Sequence, residues 1–272
     1  MTLTLPTPRS TRRRSFTLAT LFPRADVRRI SGRDLDWALA EGWNDFLEMR
    51  GDVVLLAIIY PLVGFVAAAV SFNVALLPLF FPLTAGVSIL GPAVALGFYE
   101  LGRRREAGLN VSWRHRFDAL RRRGHAGLVL LILGLVGMFV AWMTVAAFIY
   151  GVTVAPDHPT GAAEFARIVF TTADGWRLIV FGNLAGLAFA ASTLSLMVVA
   201  FPMTVDRPAR ASVAVMTSVA AVAKNPWEMA AWGLRVAGLL ALGCLPMFIG
   251  LAIALPVLGF ATWRLYTRLV ER

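Results

Sequence analysis

The strongest constraint in this sequence is the run 126–150, which contains no charged residue and is typical of one uninterrupted apolar helix. A helix of that length crosses a hydrocarbon core of about 30 Å. Across the chain, 58% of residues are hydrophobic and only 15% are charged, whereas a soluble domain carries about 25% charged residues. So few charges cannot cover the surface of a water-soluble domain. The composition therefore excludes a soluble enzyme, a disulfide-stapled secreted module and a disordered chain.

Further apolar runs accompany this one, and together they predict an all-α, polytopic membrane protein with six transmembrane helices. The predicted spans are 53–72, 75–99, 126–150, 178–203, 227–243 and 245–266. The second contains Pro78, Pro82 and Pro92. Each proline removes a backbone donor, so we expect this helix to be kinked or broken and shielded by its neighbours. Residues 34–272 then form one membrane domain.

The segments outside the spans are predicted to hold an arm and several amphipathic interfacial helices. Residues 1–33 mix Pro, Thr, Ser and Arg without periodicity, which indicates a flexible, basic cytoplasmic arm. In 34–50, apolar residues recur every three or four positions opposite an acidic face. This pattern predicts a helix lying along the membrane surface, with Trp37 and Trp43 among the headgroups. The other surface helices are predicted at 114–123, 162–170 and 210–224.

The distribution of Lys and Arg predicts the orientation of the spans. Of the 26 basic residues, 23 fall in the two termini and in the loops that share their side, and only Arg167 and Arg177 fall on the other side. Positive residues are retained in the cytoplasm, so both termini are expected there. The net charge of +10 is then an orientation signal that also favours anionic lipid headgroups. No aromatic-interleaved basic face accompanies it, which argues against nucleic-acid binding.

Arg235 is the one basic residue predicted to lie inside a span, the fifth. A charge within a membrane helix is costly and usually has a partner. Glu228 on the same helix face, Asn183 in span four and Glu100 at the end of span two are the candidate partners. Two roles stay open: a long side chain that reaches an interface or closes one interhelical contact, and a group on a transport path.

Other candidate residues mark the ends of spans. Glu100 is expected to pair with Arg103 or Arg104, three and four residues further along one helix. Pro92 interrupts span two, and Asp206 with Arg207 closes span four. The sequence also predicts Asn225 as the N-cap of the fifth span, and close helix packing at Gly182-x-x-x-Gly186 in the fourth.

Catalytic, cofactor-binding and metal-binding residues are not predicted. The chain has three His and one Cys, and no His pair lies at ligand spacing within a span, as a membrane haem or copper site would need. Walker, GxSxG and HExxH motifs are absent from the sequence, as are paired intramembrane carboxylates. The protein is therefore expected not to be an enzyme.

Several of these stretches together resemble a bacterial family of predicted integral membrane proteins, the domain-of-unknown-function 2189 family. The matching stretches are 37–46, 91–101, 201–207, 218–226 and 256–266. The resemblance implies an inner-membrane protein with six spans and an unknown role. Some relatives are labelled as cytochrome c oxidase subunits, and relatives often carry His in the last stretch. Phe260 and Arg264 stand in those places here, which argues against a metal or haem role.

Two hypotheses about function follow. The first is a non-catalytic accessory or scaffold component of a membrane complex, which rests on the absent catalytic groups and the small-residue helix faces. The alternative is a small-solute transporter or channel, which rests on the proline-broken second span, a weak internal repeat and Arg235.

Overall fold

The computed structural model of this chain describes residues 24–57, 82–83, 86, 89–112, 114–115, 118–121, 126–157, 159, 161–246 and 248–272. Most of the predicted first span, the first part of the second span and residues 1–23 of the predicted arm lie outside the described residues. Within them the regular structure is helical, and the only β pairing is one antiparallel bridge between Val27 and Val270. The all-α prediction is confirmed for this part of the chain.

The helices follow one another in a simple order along the chain. They are α1 (Gly32–Ala57), α2 (Gly91–Val94), α3 (Leu96–Glu106), α4 (Asp118–Arg121), α5 (Ala126–Val152), α6 (Ala162–Thr171), α7 (Ala173–Met197), α8 (Ala200–Asp206), α9 (Ala211–Lys224), α10 (Pro226–Cys244) and α11 (Leu251–Leu269).

Two stretches of helix are long and apolar enough to cross a membrane, Ala126–Val152 and Ala173–Asp206. They correspond to the predicted third and fourth spans. The predicted fifth span falls on α10, and the predicted sixth falls on α11, which begins later than predicted, at Leu251, because residues 245–246 and 248–250 lie in turns. Phe248 has a φ of 66° in that turn, a value that no helix interior accepts. The total of six spans stays a prediction.

The helices α5 and α7 pack on each other and leave their other faces open. Trp142 of α5 lies 5.7 Å from Phe189 between ring centroids, and a Cβ built on Gly186 would lie 3.4 Å from the Trp142 ring. Large apolar side chains on the outer faces are more than half exposed. They include Leu130, Leu133, Phe148, Phe181, Leu184 and Leu187. Exposed apolar patches of this extent are stable only against lipid or another protein.

The predicted surface helix 34–50 is instead the first part of α1, and it packs against α11. Leu35, Ala38 and Phe46 on its apolar stripe are buried. Gly42 lies so close to α11 that a Cβ there would be 2.6 Å from the backbone nitrogen of Ala261. The apolar stripe is therefore covered by protein, whereas Trp43 is 45% exposed. That the helix lies along the membrane surface, with Trp37 and Trp43 among the headgroups, stays a prediction. An apolar stripe of this width suits a lipid surface and a helix equally, so its periodicity alone does not choose between them.

The end of the predicted arm is also held in place, contrary to a flexible arm over the whole of 1–33. Arg28 N–H donates to the Leu269 carbonyl at 2.7 Å, and Glu271 N–H donates to the Asp26 carbonyl at 3.0 Å. The first residues of the chain that the structure describes therefore run antiparallel to its last ones. Backbone pairing of this kind depends on a partner far away in sequence, and local composition does not reveal it.

The predicted helices at 162–170 and 210–224 are found as α6 and α9. The helix predicted at 114–123 is observed as only one helical turn, α4, within the residues described there. The α9 helix buries Ala214, Thr217 and Ala221 against neighbouring helices, so like α1 it is a packed helix rather than one resting on lipid alone.

A break separates α7 from α8 at Val198 and Val199, just before Pro202. Proline at this position removes a helical hydrogen bond and its ring clashes with the preceding turn. The N–H of Val199 donates instead to the Ser218 hydroxyl of α9 at 3.2 Å, and both residues are fully buried. The neighbouring helix thus satisfies a backbone group that the break leaves open.

Candidate functional site

Charged side chains converge where α1, α3, α8 and α11 meet, close to the described N-terminal residues and the C-terminus. Arg103, Arg104 and Arg105 follow one another on α3. Consecutive residues on a helix point in directions about 100° apart, so each arginine reaches different carboxylates. We call the resulting set of ion pairs the arginine network.

Glu100 is at the centre of the first part of this network. It is fully buried and accepts hydrogen bonds from Arg103 Nε at 2.9 Å, Arg103 Nη2 at 2.8 Å and Arg104 Nε at 3.3 Å. The predicted pairing at three- and four-residue spacing is confirmed. The hydrogen bond to Glu100 raises the pKa of the Arg103 guanidinium. Arg104 continues to Asp118 on α4, with 2.7 Å between Nη2 and Oδ2.

Asp45 is the centre of the second part, and sequence reasoning missed it. Its carboxylate is fully buried and accepts from Arg264 of α11 at both oxygens, at 2.8 Å and 2.7 Å. Arg105 Nη1 lies 3.0 Å from the same carboxylate and Arg105 also pairs with Glu48. Bidentate pairing fixes both the distance and the relative rotation of the two groups. Asp45 therefore joins α1, α3 and α11.

Asp206, one of the predicted candidates, anchors the C-terminus. It accepts a hydrogen bond from the Tyr266 hydroxyl at 2.8 Å, and Arg272 Nε lies 3.6 Å from it. The Arg272 guanidinium also donates to both oxygens of Glu106, at 2.7 and 2.9 Å. It lies 5.2 Å from the centre of the Trp263 ring. Together these contacts hold the last residue of the chain on α3 and α8.

Buried guanidinium nitrogens without a hydrogen-bond partner occur at Arg105 (Nη1), at Arg235 (Nη1) and at Arg207. The Nε and Nη2 atoms of Arg207 are buried and have no hydrogen-bond partner in the structure. The residue as a whole is only partly buried. It directly follows α8, where the backbone turns to an extended conformation.

Arg235 pairs with a residue that the sequence did not suggest. Its Nη2 lies 2.8 Å from Asp36 Oδ1 on α1, and the carboxylate of Asp36 is 70% exposed. The structure does not bring Arg235 together with Glu228, Asn183 or Glu100 as proposed. Asn183 donates to the Ile179 carbonyl of its own helix at 2.7 Å, and Glu228 lies in the first turn of α10. The interpretation as an interhelical contact at an accessible surface therefore fits Arg235 best.

Pro92 and Asn225 occupy structural positions. Pro92 is in the first turn of α2, and the turn at Ala95 separates α2 from α3, so the predicted break in span two is observed there. Asn225 is the N-cap residue of α10, as predicted, but its side chain makes no capping hydrogen bond. The side-chain amide instead accepts from Ile30 N–H at 2.9 Å and donates to the Arg28 carbonyl at 3.1 Å. The Asn225 side chain thus acts as a clamp on the N-terminal segment.

The chemistry available in the arginine network is electrostatic. Arginine stays charged at physiological pH and does not exchange protons there, so the pairs can fix helices but cannot relay protons. Among the described residues, no group of three or more His, Cys, Asp or Glu side chains is arranged to hold a metal ion.

The described part of the chain is helical apart from one β-bridge, and two of its helices are long and apolar enough to cross a membrane, with apolar side chains exposed along them. This is the arrangement of an integral membrane protein. Residues 80–206, just under half of the chain, match the model of a family described as predicted integral membrane proteins, DUF2189. The resemblance noted over a longer stretch is confirmed for this part. No curated protein and no solved structure matches the chain.

Proposed function

We propose that the protein is a non-catalytic accessory or scaffold component of a membrane protein complex. In this proposal it lies in a bacterial inner membrane with both termini in the cytoplasm. The proposal is supported by the outer face of α7, where large apolar side chains surround an open glycine.

The open glycine is Gly182. No described residue lies within 4 Å of a Cβ built on it, whereas Gly186, one turn further, touches Trp142. Phe181 and Leu184 beside it are 56% and 58% exposed. Small residues at such spacing allow helix backbones to approach closely in a membrane. Gly186 therefore packs against α5, whereas Gly182 leaves room for a helix from another protein to pack closely against α7.

The charged groups support the same proposal because most of them hold the protein together. Glu100, Asp45, Asp206 and Glu106 are each bound by arginines of the same chain. A transport path or catalytic site normally keeps ionisable groups available to a substrate. Here they fix the ends of the helices, as a rigid docking component requires.

The test is site-specific photo-crosslinking in native membranes. A photoreactive residue at Leu184, beside Gly182, is expected to give a discrete protein adduct, and a matched one at Leu234 on α10, 75% exposed, is expected to give lipid adducts only. Gly182→Leu should abolish the Leu184 adduct. Gly137→Leu on α5, where nothing lies within 4 Å of the built Cβ, serves as control and should leave it unchanged. Adducts with lipid alone at both positions would rule out the proposed partner face.

The alternative of a small-solute transporter or channel has one structural observation in its favour. The helices are broken at Ala95 and at Val198–Val199, and broken helices mark binding sites in transporters. Solute uptake into proteoliposomes distinguishes the two proposals. Uptake that depends on the protein and falls in Arg235→Gln would support transport, and uptake equal to that of empty liposomes would oppose it.

A further inference from the structure

An exposed carboxamide lies inside the apolar part of α7. Asn183 belongs to the run 178–205, which contains no charged residue, in a helix long and apolar enough to cross a membrane. At 1.5 Å per residue, it lies about 9 Å along the helix axis from Arg177, the last charged residue before that run. The Asn183 residue is nevertheless exposed. A polar group that faces hydrocarbon is costly, so it is expected to have a partner.

The hydrogen bonds of the Asn183 side chain are incomplete. Its Nδ2 donates to the Ile179 carbonyl of the same helix at 2.7 Å. A carboxamide has two N–H donors and an acceptor oxygen, and the described part of the chain supplies no partner for the second N–H or for Oδ1. The exposed hydroxyls of Ser192 and Thr144 differ, because each donates to a carbonyl of its own helix, at 2.8 and 2.9 Å. Those hydroxyls have no donor left, whereas Asn183 has one donor and one acceptor for a neighbouring molecule.

The exposed residues in line with Asn183 are spaced as in a pair of packed helices. Five exposed residues follow one another along α7 at intervals of four, three, four and three positions. They are Trp176, Val180, Asn183, Leu187 and Ala190, and we call them the Asn183 seam. Two helices that pack along their length repeat their contact residues at these intervals. The next position in the series is Leu194, which packs against Gly233 of α10, so α10 marks the end of the seam.

We propose that the Asn183 seam binds the same seam of a second copy of this chain, with the two Asn183 amides hydrogen-bonded to each other. A carboxamide is both donor and acceptor, so it complements an identical group across a twofold axis. Two copies inserted in the same orientation place residue 183 at the same depth, so the amides meet in a parallel pair of α7 helices. A single Asn in an otherwise apolar seam fixes both the register and the number of helices.

The Asn183 seam is separate from the position proposed above to receive another protein. Consecutive residues on a helix point about 100° apart, so Gly182 and Leu184 lie on either side of Asn183 and outside the seam. The contact with α5 is made on another side of α7, through Gly186 and Phe189. The dimer therefore neither requires nor excludes a partner at Gly182, and each proposal can fail without the other.

The first test maps the seam by oxidative cross-linking of the full chain in native membranes. A Cys244→Ala background removes the single cysteine of the sequence. Leu187→Cys, on the seam, is expected to give a disulfide-linked dimer. Ser192→Cys is the matched control, because residue 192 is also exposed but points to the side of α7 opposite Asn183, nine residues earlier. Equal cross-linking at the two positions would overturn the proposal, as would a disulfide from Leu187→Cys to a different protein only.

The second test measures the role of the amide by energy transfer between chains labelled at Cys244 and reconstituted at decreasing protein-to-lipid ratios. Asn183→Leu is expected to weaken the dimer roughly tenfold, the effect of losing one interhelical hydrogen-bonded pair. Asn183→Gln keeps the amide and should retain part of the affinity, and Ser192→Leu should leave it unchanged. A wild type that stays monomeric, or equal dimerisation by the wild type and Asn183→Leu, would overturn the proposal. If the Asn183 variants do not fold, the cross-linking pattern decides, because Asn183 is intact there.

Discussion

Asp45 and Arg264, 219 residues apart in the chain, form a bidentate ion pair with distances of 2.8 and 2.7 Å between their atoms. The carboxylate is fully buried and the Arg264 side chain is 15% exposed. Because Arg105 binds the same carboxylate, one aspartate holds three helices. Arg264, in the last of the stretches that carry the family resemblance, therefore makes a structural contact.

Removing the buried carboxylate is expected to destabilise the protein strongly. Asp45→Asn leaves Arg264 without its carboxylate partner and Arg105 with only the exposed Glu48, at a cost of about 3 kcal/mol. Thermal unfolding in detergent measures the effect. Glu48→Gln is the control, since Glu48 is 65% exposed and surface pairs contribute less than about 1 kcal/mol. Equal midpoints for the two variants would contradict the central role of Asp45.

The crossing of α1 and α11 is expected to tolerate no side chain at position 42. A Cβ in Gly42→Ala would lie 2.6 Å from the Ala261 nitrogen, and because the obstacle is backbone the helices must separate. We expect a loss on the order of 2 kcal/mol. The matched variant Gly137→Ala has nothing within 4 Å, and there the higher helix propensity of Ala should stabilise by up to about 1 kcal/mol. Opposite signs in the two unfolding curves are the expected result.

The N-terminal segment is expected to depend on Asn225. In Asn225→Ala, the Ile30 N–H and the Arg28 carbonyl lose their partner, so residues 24–30 should open more often. Limited trypsin digestion reports this opening as faster cleavage after Arg28 and Arg29. Lys224→Ala removes an exposed contact to the Val27 carbonyl and should change the cleavage rate much less. Identical rates in both variants would show that Asn225 is not the clamp.

The Asp36–Arg235 pair is expected to contribute little to stability. Asp36 is 70% exposed, and exposed pairs are worth between about 0.2 and 1 kcal/mol. A double-mutant cycle with Asp36→Asn and Arg235→Gln should therefore give a coupling energy in that range. A coupling above about 2 kcal/mol would indicate that the pair is shielded from water, as on a path through the protein.

Much of the helical content was predictable because it depends on local pattern. The uncharged run 126–150 corresponds to α5. The predicted span 178–203, rich in Gly, Ala and Ser, corresponds largely to α7, Ala173–Met197, which begins about one turn earlier than predicted. The pairing of Glu100 with Arg103 and Arg104 was also predictable, since three- and four-residue spacing places them on one helix face. The site around Asp45 was not, because its partners come from α3 and α11.

Two local patterns did not reveal their partners. The stripe of Leu35, Ala38 and Phe46 fits lipid and a helix equally well, and the Asn225 side chain, at the predicted N-cap position, binds a distant segment rather than its own helix. In each case the local pattern states what the segment must bury or bind, and the partner is supplied by a chain segment far away in sequence.

By itself, the sequence determined that this is a helical membrane protein and where its most apolar helices lie. Hydropathy and periodicity act over one or two dozen neighbouring residues, so they are readable without a fold. Only the tertiary structure decided that Asp45 joins three helices and that Arg235 meets Asp36. Those contacts join residues that are far apart in sequence, so they depend on how all of the helices pack together.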